Sequence, residues 1–139
     1  MIGVDTNILI DLLVINQPGH EASWETFKKF DSPMAITSVN LSEALQLLTH
    51  EKVFPNPMSV SSAVSTISSF LSCYDIMVVQ DAGGWWCQLP ELVEQHTPDL
   101  QGNDMFDAQV AYCLKYNGIK IIWTKDSDFR KYPFLKIVS

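Results

Sequence analysis

Apolar residues along this chain fall into two rhythms that alternate from one end to the other. Short apolar runs of strand length stand at Ile2–Asp5, Met34–Thr37, Asp75–Val79, Ile119–Thr124 and Lys136–Val138. Between them, apolar positions recur at intervals of three and four, the spacing of one helical face. Thr6–Val14 continues from the first run, with Asp5 or Thr6 as its cap. Glu21–Phe30 carries Ala22, Trp24, Phe27 and Phe30 on one side. A helix capped by Ser38 places Leu41, Ala44, Leu45 and Leu48 together. Ser59–Ser72 is serine-rich, but Val60, Ala63, Val64, Ile67, Phe70 and Leu71 keep helical register, so it predicts an amphipathic helix rather than a linker. Gly84–Gln95, around Pro90, and Asp104–Tyr116 complete the helices.

Punctuation falls between these elements: Gln17-Pro-Gly19, Phe54-Pro-Asn-Pro57, the loop His96–Asn103, and Gly118 just past the last helix. Strands alternating with helices predict an α/β fold, three layers α/β/α around a mostly parallel central sheet of about five strands. No internal repeat or boundary divides the chain, so residues 1–139 are expected to form a single domain.

Composition adds limits. At 47% hydrophobic residues and a mean hydropathy of +0.07, the chain can bury a core. No apolar stretch reaches the ~20 residues a membrane span needs, and no basic segment precedes the first apolar run, so a cytoplasmic protein is expected. Cys73, Cys87 and Cys113 lie far apart without a Cys-x-x-Cys pair, and are expected to be small buried hydrophobes in a reducing compartment. A net charge of −7 is opposite to the usual footprint of a nucleic-acid binder. It fits such a substrate only if acids gather at a metal and the few cations lie beside it. The one local cationic cluster is Lys125, Arg130 and Lys131.

Four acids stand where predicted elements meet. Asp5 ends the first strand, Glu43 sits in the first turns of the third helix, Asp107 in the first turn of the last helix, and Asp126 follows the fourth strand. Each has a plain reading. Asp5 is a favoured helix cap, Glu43 is a solvated residue or the far half of an Asn40-x-x-Glu43 capping box, and Asp104 or Asp107 complements a helix dipole. Asp126 and Asp128 are turn formers. Taken together they point elsewhere: in a parallel sheet Asp5 and Asp126 emerge at the same edge, where such folds place ligands. Clustered carboxylates raise one another's proton affinity and call for a cation, and hard oxygen donors suit Mg²⁺ or Mn²⁺. Such an ion activates water and stabilises charge at phosphorus. His20, His50 and His96 form no pattern with a Ser or Cys nucleophile.

These residues carry a family resemblance. Val4-Asp-Thr-Asn-Ile-Leu9, Asn40-Leu-Ser-Glu-Ala-Leu45, Gly102-Asn-Asp-Met-Phe-Asp-Ala-Gln-Val-Ala111 and Trp123-Thr-Lys-Asp-Ser-Asp-Phe129 resemble, in order and spacing, the motifs of PIN-domain ribonucleases, most closely the VapC-type toxins of toxin–antitoxin pairs. His20 falls where that family often has a His. The resemblance implies that Asp5, Glu43, Asp107 and Asp126 are the catalytic, metal-binding acids, with Asp128 as an outer candidate; Asp104, a departure from the family pattern, adds a further candidate carboxylate close by. It implies that Thr6 and Asn7 orient the first Asp and that Thr124 supports the last strand's end. It also implies Mg²⁺- or Mn²⁺-dependent cleavage of RNA, a homodimer and a cognate antitoxin partner.

Other features keep alternatives open. Trp85 and Trp86 stack on an RNA base, line a groove for an antitoxin helix, or pack in the core or a dimer contact, the last being the leading expectation. Lys125, Arg130 and Lys131 either hold substrate phosphates or form a solvated loop. Two competing functions remain: a non-catalytic scaffold of the same fold, and a phosphoacceptor receiver module. The receiver fits poorly, because it needs an acidic pair after its first strand and this chain has Asp5-Thr6-Asn7.

Overall fold

A computed structural model describes residues 1–139. The chain runs β1 (Ile2–Val4), α1 (Thr6–Leu13), α2 (His20–Phe27), β2 (Met34–Thr37), α3 (Ser38–Leu48), α4 (Val60–Cys73), β3 (Met77–Val79), α5 (Trp85–His96), α6 (Met105–Tyr116), β4 (Ile121–Trp123) and β5 (Lys136–Val138). Short 3-10 turns at Gly102–Asp104 and Ser127–Lys131 precede α6 and follow β4.

All five strands are parallel, in the order β3-β2-β1-β4-β5. The chain builds outward from β1 to β3 on one side, then crosses to lay β4 and β5 on the other. The order therefore reverses between β1 and β4, and the crevice beyond the C-terminal ends of those two strands is where an open α/β sheet binds ligands. Both central strands have mostly apolar sequences because both sheet faces are covered. One core gathers Ile2, Val4, Ile8, Leu9, Leu48, Ile67 and Trp123 under α1 to α4. The other gathers Ala108, Ala111, Leu114, Ile122, Phe129 and Tyr132 under α6. The expected three-layer α/β/α architecture is present. Gly3 lets that second layer approach closely: a Cβ there would lie 2.8 Å from both Leu114 methyl carbons, so the Leu114 side chain would have to shift.

Several local expectations are corrected. The cap of α3 is Thr37, whose hydroxyl accepts the Asn40 N–H, and not Ser38. The Asn40-x-x-Glu43 capping box is therefore not formed, and Asn40 is buried inside the helix instead. In α2 the buried residue is Ser23, and Ala22 is exposed. Only Cys113 behaves as a buried hydrophobe; Cys73 and Cys87 are exposed on the outward sides of α4 and α5. Core packing does not hold for Trp86, which is 72% exposed and meets Trp85 edge-on. No helix is long and apolar enough to cross a membrane.

Candidate active site

Asp5 lies immediately beyond β1, with its backbone N–H bonded to the Trp123 carbonyl of β4. Its side chain is almost completely buried and accepts from every direction. Oδ1 takes the Thr6 N–H at 2.8 Å, which caps α1, and the Asn40 amide at 3.1 Å. Oδ2 takes the Thr124 hydroxyl at 2.5 Å and the Asn7 amide at 3.2 Å. These bonds favour the ionised carboxylate, yet burial outweighs them and, with the charge of Asp126, raises its pKa. Thr6, Asn7 and Thr124 thus all donate to the Asp5 carboxylate.

Thr124 joins the two central loops. Its hydroxyl donates to Asp5 and accepts the Asp126 N–H at 2.9 Å. Asp126 in turn caps the following 3-10 turn, accepting the Asp128 N–H at 2.9 Å. Asn7 completes the link: its amide reaches Asp5 and Thr124, and its Oδ1 accepts the Lys125 N–H.

Glu43 projects from α3 and Asp107 from the first turn of α6, both half-buried. Burial, then the charges of Asp5 and Asp107, raise the Glu43 pKa to about 7. Burial, then Asp126, Asp5, Asp128 and Asp104, raise that of Asp107 to about 6. Four acids from four separate loops and helices therefore share one electrostatic field. They are not drawn into a ready-made cage, since no three acidic, His or Cys side chains close on one point.

The neighbouring cations are engaged elsewhere. Lys125 Nζ lies 2.6 Å from Asp11, a buried carboxylate of α1 that also accepts the Ser23 hydroxyl. Lys131 Nζ lies 2.8 Å from Asp104. Asp104 uses its other oxygen to accept the Gln101 N–H, and these partners, Lys131 first, lower its pKa. Both its oxygens are thus spoken for. Arg130 is exposed and forms no ion pair. Lys131 also feels the charge of Asp107, but no lysine or arginine pairs directly with any of the four shared carboxylates. Uncompensated hard oxygens with raised proton affinity fit a divalent ion such as Mg²⁺ or Mn²⁺.

Two residues of this site were missed by sequence reasoning. Asn40, 1% exposed, donates to Asp5 and to the Thr6 hydroxyl while its oxygen accepts from Thr37. Its signal was a polar side chain close to the apolar face of α3. Asp11, 2% exposed, anchors Lys125; its signal was a lone acid inside an apolar run.

Beside the carboxylates runs an open groove of about 510 Å³, lined by Glu43, Ser42, Gln46, Phe106 and Gln109 among others. A separate, more apolar cavity of about 230 Å³ lies between α5 and α6, where Trp85 and Tyr112 line it, and Gln109 borders both.

The PIN domain family model matches residues 2–135. Ribonuclease VapC48 of Mycobacterium tuberculosis is 30% identical over 93 residues, 67% of this chain and 63% of that protein. The chain thus spans under two thirds of the length of that relative. The crystal structure of Mycobacterium tuberculosis VapC20, described as a toxin cleaving the sarcin-ricin loop, superposes with a TM-score of 0.68 at 19% identity over 94% of this chain and 93% of that one. VapBC2 from Rickettsia felis, bound to promoter DNA, superposes with a TM-score of 0.63 at 20% identity over 99% of this chain and 98% of that one.

Proposed function

This chain belongs to the PIN-domain family, and from that premise we propose that it is a metal-dependent endoribonuclease, the toxin of a VapBC-type pair. The observation that carries the reading is the field shared by Asp5, Glu43, Asp107 and Asp126, none of which is paired with a lysine or arginine. A partly buried set of this kind has little use in a scaffold, because it destabilises the fold unless something positive binds there. The ribonuclease name and toxin descriptions of its relatives support the same reading.

In this proposal the four acids are the ligands of Mg²⁺ or Mn²⁺, with Asp128 at the rim. Asp104, paired with Lys131, is not among them in this reading. The cation supplies Lewis acidity: it lowers the pKa of water and offsets charge on the phosphate. The chain supplies the geometry. Asn40, Thr6, Asn7 and Thr124 hold Asp5 in one rotamer, and Thr124 couples it to the Asp126 loop. Water then adds to phosphorus as one bridging P–O bond breaks, leaving a phosphomonoester and a hydroxyl. Arg130 is the cation available for a flanking phosphate. A homodimer, a cognate antitoxin and a cytoplasmic location complete the proposal.

The test is cleavage of single-stranded RNA by purified protein with Mn²⁺ or Mg²⁺. Cutting that stops in EDTA and falls to background in Asp5→Asn supports the nuclease. A scaffold would cut nothing and tolerate the substitution. A receiver would instead take up phosphate from acetyl phosphate.

A further inference from the structure

Phe106 is a large aromatic residue, 72% exposed, placed directly before Asp107 in the first turn of α6. It does not hang in open solvent at random. It forms a wall of the 510 Å³ groove that also contains Glu43, so one trough holds both a proposed metal ligand and an unburied aromatic face. The rest of that trough is mostly neutral and polar, with Ser42, Gln46 and Gln109 offering hydrogen-bonding groups. No lysine or arginine lines it.

The electrostatics make this aromatic matter. A chain of charge −7 whose Lys125 and Lys131 are both tied to carboxylates has little to offer a polyanion along its backbone. Proteins that hold single strands combine phosphate contacts with base stacking on aromatic faces. With the first contribution weak, the second must carry more of the affinity. We infer that Phe106 is the stacking platform for a nucleobase beside the scissile phosphate, and that it thereby sets which nucleotide flanks the cut. The inference rests on the ribonuclease reading above. Ser42, Gln46 and Gln109 surround the stacked base at its edges. Gln109, which donates to Asp81 at 3.2 Å, also borders the separate cavity lined by Trp85.

The experiment compares the parent chain with Phe106→Ala, Phe106→Trp and, as a control, Trp86→Ala. Trp86 is equally exposed but lies outside the groove. Short oligoadenylate and oligouridylate serve as substrates with Mn²⁺. Phe106→Ala should raise KM by roughly 5- to 150-fold, the range that loss of one stacked base implies, with a smaller change in kcat. It should also flatten the preference between the two oligomers. Phe106→Trp should restore both, and Trp86→Ala should match the parent chain. Sedimentation and circular dichroism report whether each variant keeps its fold and assembly.

Unchanged KM and unchanged preference in Phe106→Ala would overturn the inference while leaving the nuclease intact. So would an equal loss in Trp86→Ala, or a Phe106→Ala defect explained by a changed oligomeric state, which would make Phe106 a contact between copies. If the parent chain cuts neither oligomer nor a mixed-sequence RNA, the ribonuclease reading itself fails and this inference falls with it.

Discussion

The Asn40 amide donates to Asp5 Oδ1 at 3.1 Å across 35 residues of sequence, fastening α3 to the end of β1. The same amide reaches the Thr6 hydroxyl at 3.0 Å, and the Asn40 oxygen accepts from Thr37 at 2.8 Å. A single side chain thus satisfies the cap of α3, the start of α1 and the buried carboxylate between them.

Asn40→Ala should therefore cost on two counts. Leaving buried groups unpaired should lower stability by about 1–3 kcal/mol, read from urea unfolding. Loss of an orienting partner should weaken divalent-ion affinity and cleavage by about 10–100-fold. A variant that lost stability but kept full affinity for Mn²⁺ would show that Asn40 acts only on the fold.

The raised proton affinities of Glu43 and Asp107 set a pH dependence. Both acids bind protons more tightly in the folded chain than in the unfolded one, with values near 7 and 6 against ordinary values of 4.5 and 3.8. The folded state holds more protons across that window, so metal-free stability falls as pH rises from about 4 to about 7. Glu43→Gln should reduce the slope and raise the metal-free midpoint at neutral pH. Urea midpoints in EDTA over that range check it, and a midpoint that rose with pH would remove the shared-field account.

Lys125 is an anchor and not a free phosphate ligand. Lys125→Met strands the buried carboxylate of Asp11, although half of the lysine is open to water, so the cost should be about 1–2 kcal/mol. The double variant Lys125→Met with Asp11→Asn should recover part of it. KM for RNA should barely move in either, whereas Arg130→Ala should raise it.

Weak dependence on salt follows from the same pairings. Each phosphate neutralised on a single strand contributes a slope of about −0.7 in log K against log salt. With Arg130 as the unpaired cation beside the site, the slope of binding by an Asp5→Asn chain should stay near about −0.7 to −1.4. A much steeper slope would reveal a basic surface elsewhere.

The frame of the molecule was legible because its strands are short apolar runs and its helices keep three-four spacing. Ile2–Val4, Met34–Thr37 and Lys136–Val138 needed nothing beyond that pattern. Acids placed at strand ends were legible too, since a parallel sheet delivers Asp5 and Asp126 to one edge. Asn40 was not, because in a helix's first turns it has the local appearance of a cap. Lys125 was misleading for a different reason. Its neighbours are acids of the site, but its partner Asp11 lies 114 residues away, and no local pattern encodes that distance. The Trp85-Trp86 pair left several alternatives open because Trp85 continues the apolar stripe of Leu89, Leu92 and Val93, whereas Trp86 falls beside it and nothing local says what covers it.

That last helix has a wider consequence. None of the residues from Trp85 to His96 is fully buried, and Pro90 removes one of its internal hydrogen bonds. Leu89, Leu92 and Val93, all partly buried, hold it to the second core, so amide exchange should be faster there than in the fully covered central strands. Such a segment is free to drift in sequence at small thermodynamic penalty. The frame that carries the four acids can thus stay constant while the face around Trp85 diversifies.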